Sequence, residues 1–237
     1  MVNFNQRGLF VTGTDTGVGK TRISAILAHL LNDRGIVVRP RKPVESGCLR
    51  VEGRLVPADA AVLQTAAASH DLLTQICPYR FELALSPERA AALTDKKLVL
   101  EDFTAACRQG VTTSEFLLVE GAGGFYSPLA SDALNADLAD ALSLPVLLVT
   151  SDRLGAINQT LLAVEAINRR GLKLAGVVLN QVAADIDPLM NNAGELSRWL
   201  DEPVMVTPYY EANSANPVWL SPCPTLIDWV DRLAGDV

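Results

Sequence analysis

The sequence predicts a single α/β domain over residues 1–237, with a mostly parallel central sheet flanked by helices. Three observations carry this expectation. Strand-like and helix-like segments alternate along the chain. Several of the strands are short and nearly all apolar, as parallel strands covered on both faces must be. The first strand runs through a glycine-rich turn into an amphipathic helix.

Taken in order, Leu9–Thr12 reads as a strand and Lys20–Asp33 as a helix with Ile23, Ile26, Leu27, Leu30 and Leu31 on one face. Gly35 is a helix stop ahead of a second strand, Ile36–Arg41. Residues 43–110 are less regular: PVESGCLRVEGRLVP reads as loop, and Ala-rich helices follow. One of these starts with Ser86 as N-cap and Pro87 at the first helical position. Phe116–Val119, Val146–Thr150, Leu174–Leu179 and Val204–Val206 are the remaining strands, with helices expected over 133–142, 156–169, 188–200 and 225–234. No repeat, low-complexity tract or linker divides the chain.

Composition narrows the function classes. A chain of 237 residues can bury a sizeable core, and 49% hydrophobic against 20% charged residues argues against disorder. A net charge of −7 argues against a broad surface for nucleic acid or anionic membrane. Cys48, Cys77, Cys107 and Cys223 are scattered without a C-x-x-C pair, and only His29 and His70 could join them, so reduced thiols are expected instead of zinc or disulfides. Met1–Gly8 lacks an apolar signal core, and no apolar run approaches the ~18 residues of a membrane span. The expectation is a soluble cytoplasmic protein.

The stretch GTDTGVGKT, residues 13–21, ends like a phosphate-binding loop but departs from G-x-x-x-x-G-K-S/T. Five residues separate Gly13 from Gly19, where the strict pattern has four. Its setting between strand and helix is nonetheless the one such a loop requires. Gly17 and Gly19 let the backbone approach phosphate oxygens, Val18 sits between them, and the helix N-terminus with Lys20 supplies positive potential. Thr21 stands where a hydroxyl should meet Mg²⁺, with Arg22 following it.

A second constellation is FLLVEGAGGFYSP, in which a buried strand ends in Glu120 and a glycine turn, Gly121-Ala122-Gly123-Gly124. An acid at the carboxyl end of a parallel strand is where a metal-binding carboxylate belongs. Asp59 near a helix start, and Lys42 with Ser46 after the second strand, are weak signals by themselves: the ordinary alternatives are a helix-start charge and an exposed lysine.

Together these pieces resemble the dethiobiotin synthetase family, a group of P-loop NTPase type. VTGTDTGVGKT, KPVESG, ADAAVLQ, VEGAGGFYSPL, LPVLLVTSDRLGAINQTLL, GVVLNQV and TPYYEAN resemble its blocks in order, from about residue 8 to 215. The family's loop carries the same extra residue. The resemblance implies an ATP-dependent cyclo-ligase in which 7,8-diaminononanoate takes up CO2 as a carbamate. ATP phosphorylates that carbamate, and the second amine closes a cyclic urea.

Carried over by position, Lys20 holds the ATP phosphates, and Thr21, Asp59 and Glu120 bind Mg²⁺. Lys42 contacts the carbamate and the transferring phosphoryl group, Thr16 adds a hydroxyl, and Ser46 contacts substrate. Glu120 to Gly123 line the nucleotide and metal site, while Asn180, Gln181 and Pro208, Tyr209 and Tyr210 surround adenine and ribose. The helix start Gly155, Ala156, Ile157, Asn158 receives the substrate carboxylate from a partner subunit, which implies a homodimer.

Two departures stand out. Glu88 follows Pro87 where the family often has histidine, which puts an acid near a dianionic reaction unless it points outward or meets an amine. Glu211 lies two residues before Asn213, where family members often have the acid directly before the asparagine. Partitioning or septum-placement ATPases share the architecture but carry a lysine early in the loop, where this chain has Asp15, and no amphipathic membrane-targeting tail follows Asp228. The related cobyrinate amide synthases carry an appended glutaminase domain, for which this chain is too short. A paralogue that binds nucleotide but has lost the substrate is the third alternative.

Overall fold

The structure, a computed structural model, describes residues 7–185, 187, 189–211, 217–220 and 223–235; Asn213 therefore lies outside the described residues. Six parallel strands form the central sheet, in the order Val204–Thr207, Leu174–Asn180, Val146–Ser151, β1 (Gly8–Gly13), Phe116–Glu120, β2 (Val38–Arg41). All six coincide with the strands expected from sequence. Alternate residues of the same strands feed opposite layers, as a period of two requires. Phe10, Leu117, Val119 and Leu148 face one apolar cluster, and Leu9, Val11, Leu118 and Leu147 face the other, where helix α1 (Lys20–Asp33) packs.

The differences from expectation have local causes. The second strand starts at Val38, later than Ile36, because the chain there is still closing α1. Gly35 adopts φ +76°, and the Ile36 N–H reaches back to the Leu31 carbonyl at 3.1 Å, a Schellman closure. The stretch expected as loop after Lys42 contains strands: β3 (Val44–Ser46) pairs in parallel with Tyr79–Phe81, and Leu49–Val51 pairs antiparallel with Arg54–Val56. That hairpin turns on Glu52 and Gly53, both at positive φ, a pairing less legible in sequence than Asn-Gly or Asp-Gly. The helix expected over 188–200 is confined to Asn192–Leu196, where the Asn191 side chain accepts from the Gly194 N–H; residue 188 is outside the described set. Ser86 occupies the N-cap position of Pro87–Ala92, but its side chain makes no capping bond.

Among the described residues no helix is long and apolar enough to cross a membrane. The four cysteines are buried and form no disulfide, and burial pushes the Cys107 thiol up to about 12.

The sheet edge that leads to Lys42 is held by charge. Arg39 and Arg41 alternate along β2 and share Asp71: Arg39 Nη1 reaches Oδ1 at 2.5 Å and Arg41 Nη1 reaches Oδ2 at 2.6 Å. Arg39 also donates to Glu115, and Arg41, 1% exposed, donates to the Gln109 carbonyl. Removing the acid from such a pair leaves a buried guanidinium without its counter-charge. Asp71→Ala should therefore lower the unfolding free energy by about 3–5 kcal/mol. Urea denaturation of the two proteins checks this, and a loss below about 1 kcal/mol would contradict the clamp.

Candidate active site

Parallel strands end together, so β1, Phe116–Glu120 and β2 deliver three groups to one place at their carboxyl ends. From β1 comes the loop of residues 14–19. Gly17 and Gly19 sit at φ +76° and +96°, and a Cβ on Gly19 would lie 2.0 Å from Asn180 Nδ2. Only glycine fits there. Asn180 locks the loop from behind, donating to the Val18 carbonyl at 2.9 Å while its Oδ1 accepts from Arg22 at 2.6 Å and Thr207 at 2.9 Å. Gly13 is required for a related reason, since a Cβ there would meet Val18 Cγ2 at 2.7 Å.

Lys20 opens α1, and its ammonium donates to the Asp15 carbonyl at 2.9 Å. Burial, followed by the positive charge of Lys42, lowers its pKa to about 8, with the Glu120, Asp59 and Asp15 charges opposing. Glu120, 1% exposed, accepts through Oε1 from the Thr21 hydroxyl at 2.9 Å and from Lys42 Nζ at 2.5 Å. Lys42 also stands 3.2 Å from Asp59 Oδ2 and donates to the Gly121 carbonyl at 3.2 Å. Burial opposes the Lys42 charge, but the Glu120 and Asp59 carboxylates outweigh it and hold the lysine above its ordinary pKa.

Glu120 Oε2 is buried and accepts no hydrogen bond among the described residues. A buried carboxylate oxygen left so is costly, and such atoms mark places where an ion belongs. With the Asp59 carboxylate and the Thr21 hydroxyl it makes an all-oxygen donor set. Among the described residues no group of three or more His, Cys, Asp or Glu side chains converges as a metal site. The two carboxylates and one hydroxyl here suit Mg²⁺, which keeps several waters and takes phosphate oxygens. The residues present fit that ion.

Thr16, Gly17, Gly19, Lys20 and Thr21 line a cleft of about 550 Å³, together with Lys42, Glu45, Ser46, Asp59, Glu120, Ala122 and Gly123. Val44, Leu85 and Pro87 add an apolar flank that the sequence reading did not identify. Val18 and Gly121 are buried beneath the cleft.

Arg22, Asn180, Gln181 and Pro208 gather beside the loop instead. Arg22 Nη2 donates to the Pro208 carbonyl at 2.6 Å, and the Gln181 N–H donates to Thr207 O at 2.9 Å. Tyr209 is half exposed and Tyr210 less so. Gly155, at φ +90°, caps the helix Ala156–Arg169, with Ile157 and Asn158 in its first turn; none of these lines the cleft. Glu88 does not line the cleft; it borders a separate hollow of about 240 Å³ with Lys96 and Lys97. Glu211 is exposed.

Two polar residues near the cleft escaped the sequence reading. Asn135, fully buried, pins the glycine turn: its Oδ1 accepts from Ala122 N at 3.0 Å, and its Nδ2 donates to the Ala122 carbonyl at 2.6 Å. Glu45 bonds the backbone of Asp59 and Ala60 at 3.1 and 3.2 Å. Burial and the Asp59 charge raise its pKa against those two bonds. No signal in the sequence marks either one, because each acts through backbone groups of a separate segment.

A strand–loop–helix phosphate cradle, with a buried acid and a second lysine from adjacent parallel strands, defines a P-loop nucleotide-binding α/β protein. The comparisons agree. A family model described as an AAA domain matches residues 7–211. The chain is 40% identical over 200 residues to the ATP-dependent dethiobiotin synthetase BioD of Vesicomyosocius okutanii, covering 84% of this chain and 89% of that one. It is 42% identical over 205 residues to the enzyme of the same name from Anaeromyxobacter dehalogenans strain 2CP-C, covering 86% and 90%. The chain belongs to the ATP-dependent dethiobiotin synthetase family. The septum site-determining protein MinD of Pyrococcus horikoshii, solved with Mg-ADP, superimposes with a TM-score of 0.53 at 18% identity over 98% of this chain and 95% of that one, a likeness of fold alone.

The contact between Gly19 and Asn180 yields a direct test. Gly19→Ala must leave the left-handed region or displace Asn180, at a cost of about 1–2 kcal/mol or more. ADP affinity measured by titration calorimetry should fall about tenfold or further. Affinity within twofold of the parent would show that the loop tolerates a side chain there.

Proposed function

We propose that this chain makes dethiobiotin from 7,8-diaminononanoate, CO2 and ATP. The observation that carries the reading is Lys42: a buried, charged lysine that meets Glu120 and Asp59 and lines the same cleft as Ser46 and the phosphate loop. A cation there faces substrate and phosphate at once. One amine of the diamine adds to CO2 and loses a proton, giving a carbamate. A carbamate oxygen attacks the γ-phosphorus of ATP, forming a mixed anhydride and releasing ADP. The second amine attacks the carbamoyl carbon, phosphate leaves, and the cyclic urea closes.

Positioning and charge neutralisation are the protein's share of this chemistry. Lys42 stabilises the anionic carbamate and the transferring phosphoryl group, and Thr16 contributes a hydroxyl to the same place. Lys20 and the loop N–H groups hold the ATP phosphates, with Asn180, Arg22, Gln181 and Pro208–Tyr210 on the adenine and ribose side. Mg²⁺ held by Thr21, Asp59 and Glu120 would neutralise phosphate charge. Ser46 contacts the diamine, and Val44, Leu85 and Pro87 suit its alkyl chain. Gly155–Asn158, outside the cleft of its own chain, would offer helix N–H groups to the substrate carboxylate bound by a second subunit.

Incubation with the diamine, bicarbonate, Mg²⁺ and ATP, followed by mass analysis for the cyclic urea, tests the reading. Lys42→Gln should keep nucleotide affinity, because Lys20 and the loop remain, while turnover falls by about 10²–10³-fold or more. Normal turnover in that variant removes Lys42 from the chemistry. ATP hydrolysis without incorporation of labelled bicarbonate would favour the switch reading that the architecture also permits.

The shared site is tested by complementation. Mixing Lys42→Ala chains with chains altered at Gly155–Asn158, each inactive alone, should restore part of the activity. A fully active monomer in sedimentation would refute the shared site.

A further inference from the structure

We propose that Glu45 is a positioning residue that ties the substrate-facing strand β3 to helix α2 (Ala58–Ala66) and so fixes Asp59 at the metal-facing wall. The inference rests on the Mg²⁺ reading of Thr21, Asp59 and Glu120. Helix α2 begins after Pro57, which offers no side-chain cap, so its first N–H groups must find acceptors elsewhere. Glu45 supplies them from fourteen residues away: Oε1 accepts from the Asp59 N–H at 3.1 Å and Oε2 from the Ala60 N–H at 3.2 Å.

This is an expensive way to cap a helix. Glu45 is only 7% exposed and its carboxylate faces the like charge of Asp59, whereas a serine or aspartate at the N-cap would satisfy the same groups locally. A remote cap does something a local one cannot. The next residue is Ser46, in the same cleft wall, and β3 is anchored by its pairing with Tyr79–Phe81. The Glu45 carboxylate therefore sets the separation between the substrate-facing serine and the Asp59 backbone. The Asp59 side chain itself is 41% exposed, with Lys42 Nζ at 3.2 Å. Groups that orient a metal ligand without touching the metal are worth about 10–100-fold in metal affinity.

The test uses Mn²⁺, which takes hard oxygen ligands and is visible by electron paramagnetic resonance, titrated into the full-length protein loaded with ADP. Glu45→Ala should raise the Mn²⁺ dissociation constant about 10–100-fold, while ADP affinity in EDTA stays within twofold. Glu45→Gln should fall between, because its amide oxygen can still accept one of the two N–H groups. A general loosening of the fold would lower ADP affinity in EDTA along with Mn²⁺ affinity, and that result overturns the proposal. So does unchanged Mn²⁺ affinity in Glu45→Ala. If Glu45→Ala fails to fold, Glu45→Gln decides: a several-fold loss supports the assignment and no loss overturns it. Glu120→Gln separates the two layers of the argument. If that variant binds Mn²⁺ normally, the metal reading itself is wrong and this inference falls with it; if it loses Mn²⁺ while Glu45→Ala does not, only the role of Glu45 falls.

Discussion

Glu120 Oε1 accepts from the Thr21 hydroxyl and the Lys42 ammonium, and the cleft is arranged around that junction. The strand carrying Glu120 pairs with β1 on one side and β2 on the other, so the three partners come from three neighbouring strand ends. Each strand has a reason to hold its place. Phe116–Glu120 is buried along its whole length, and β1 contributes to both apolar layers. At the sheet edge, β2 is pinned by the arginines on Asp71. Elements far from the reacting groups thereby fix their separation to within hydrogen-bond tolerance.

Charge explains why these groups must come together or not at all. A lysine as buried as Lys42 would shed its proton without a counter-charge, and the Glu120 and Asp59 carboxylates supply that charge. Lys20 is in a different position: it faces a neutral carbonyl, and burial with the Lys42 charge lowers its pKa to about 8. An anionic group at the same place would restore the full charge. The cleft thus contains one lysine held charged by two carboxylates and one that a nearby anion would hold charged.

Much of this was legible in the sequence, because much of it is local. The six central strands announce themselves as short apolar runs, α1 by its periodicity, and the phosphate loop by glycines whose φ values and close contacts admit nothing else. What could not be read is what depends on distant segments meeting. Asp59 and Lys42 are weak signals by residue type and take their expected roles only from the family resemblance; their approach to 3.2 Å depends on where β2 and α2 meet. Asn135 and Glu45 act through backbone groups, which leave no trace in side-chain pattern. The hairpin over Leu49–Val56 was missed for another reason, since Glu-Gly is a weak turn signal. Glu88 was the reverse case: it adjoins Pro87 in sequence yet borders a different hollow from the cleft.

The architecture alone leaves function open, since the septum protein MinD shares the fold at 18% identity. The difference lies in where the second cation comes from. In partitioning-type switches the signature lysine belongs to the loop itself. Here the corresponding position is Asp15, whose side chain accepts from the Thr16 N–H and whose carbonyl receives Lys20, so it shapes the loop instead of adding charge. The second cation, Lys42, directly follows β2, whose Arg39 and Arg41 are paired with Asp71, and it lines the same cleft as the phosphate loop and Ser46. A lysine at the end of a sheet strand is placed by the sheet, independently of the loop beside it. Under the function proposed above, that independence is what lets a second substrate be held at a defined distance from ATP.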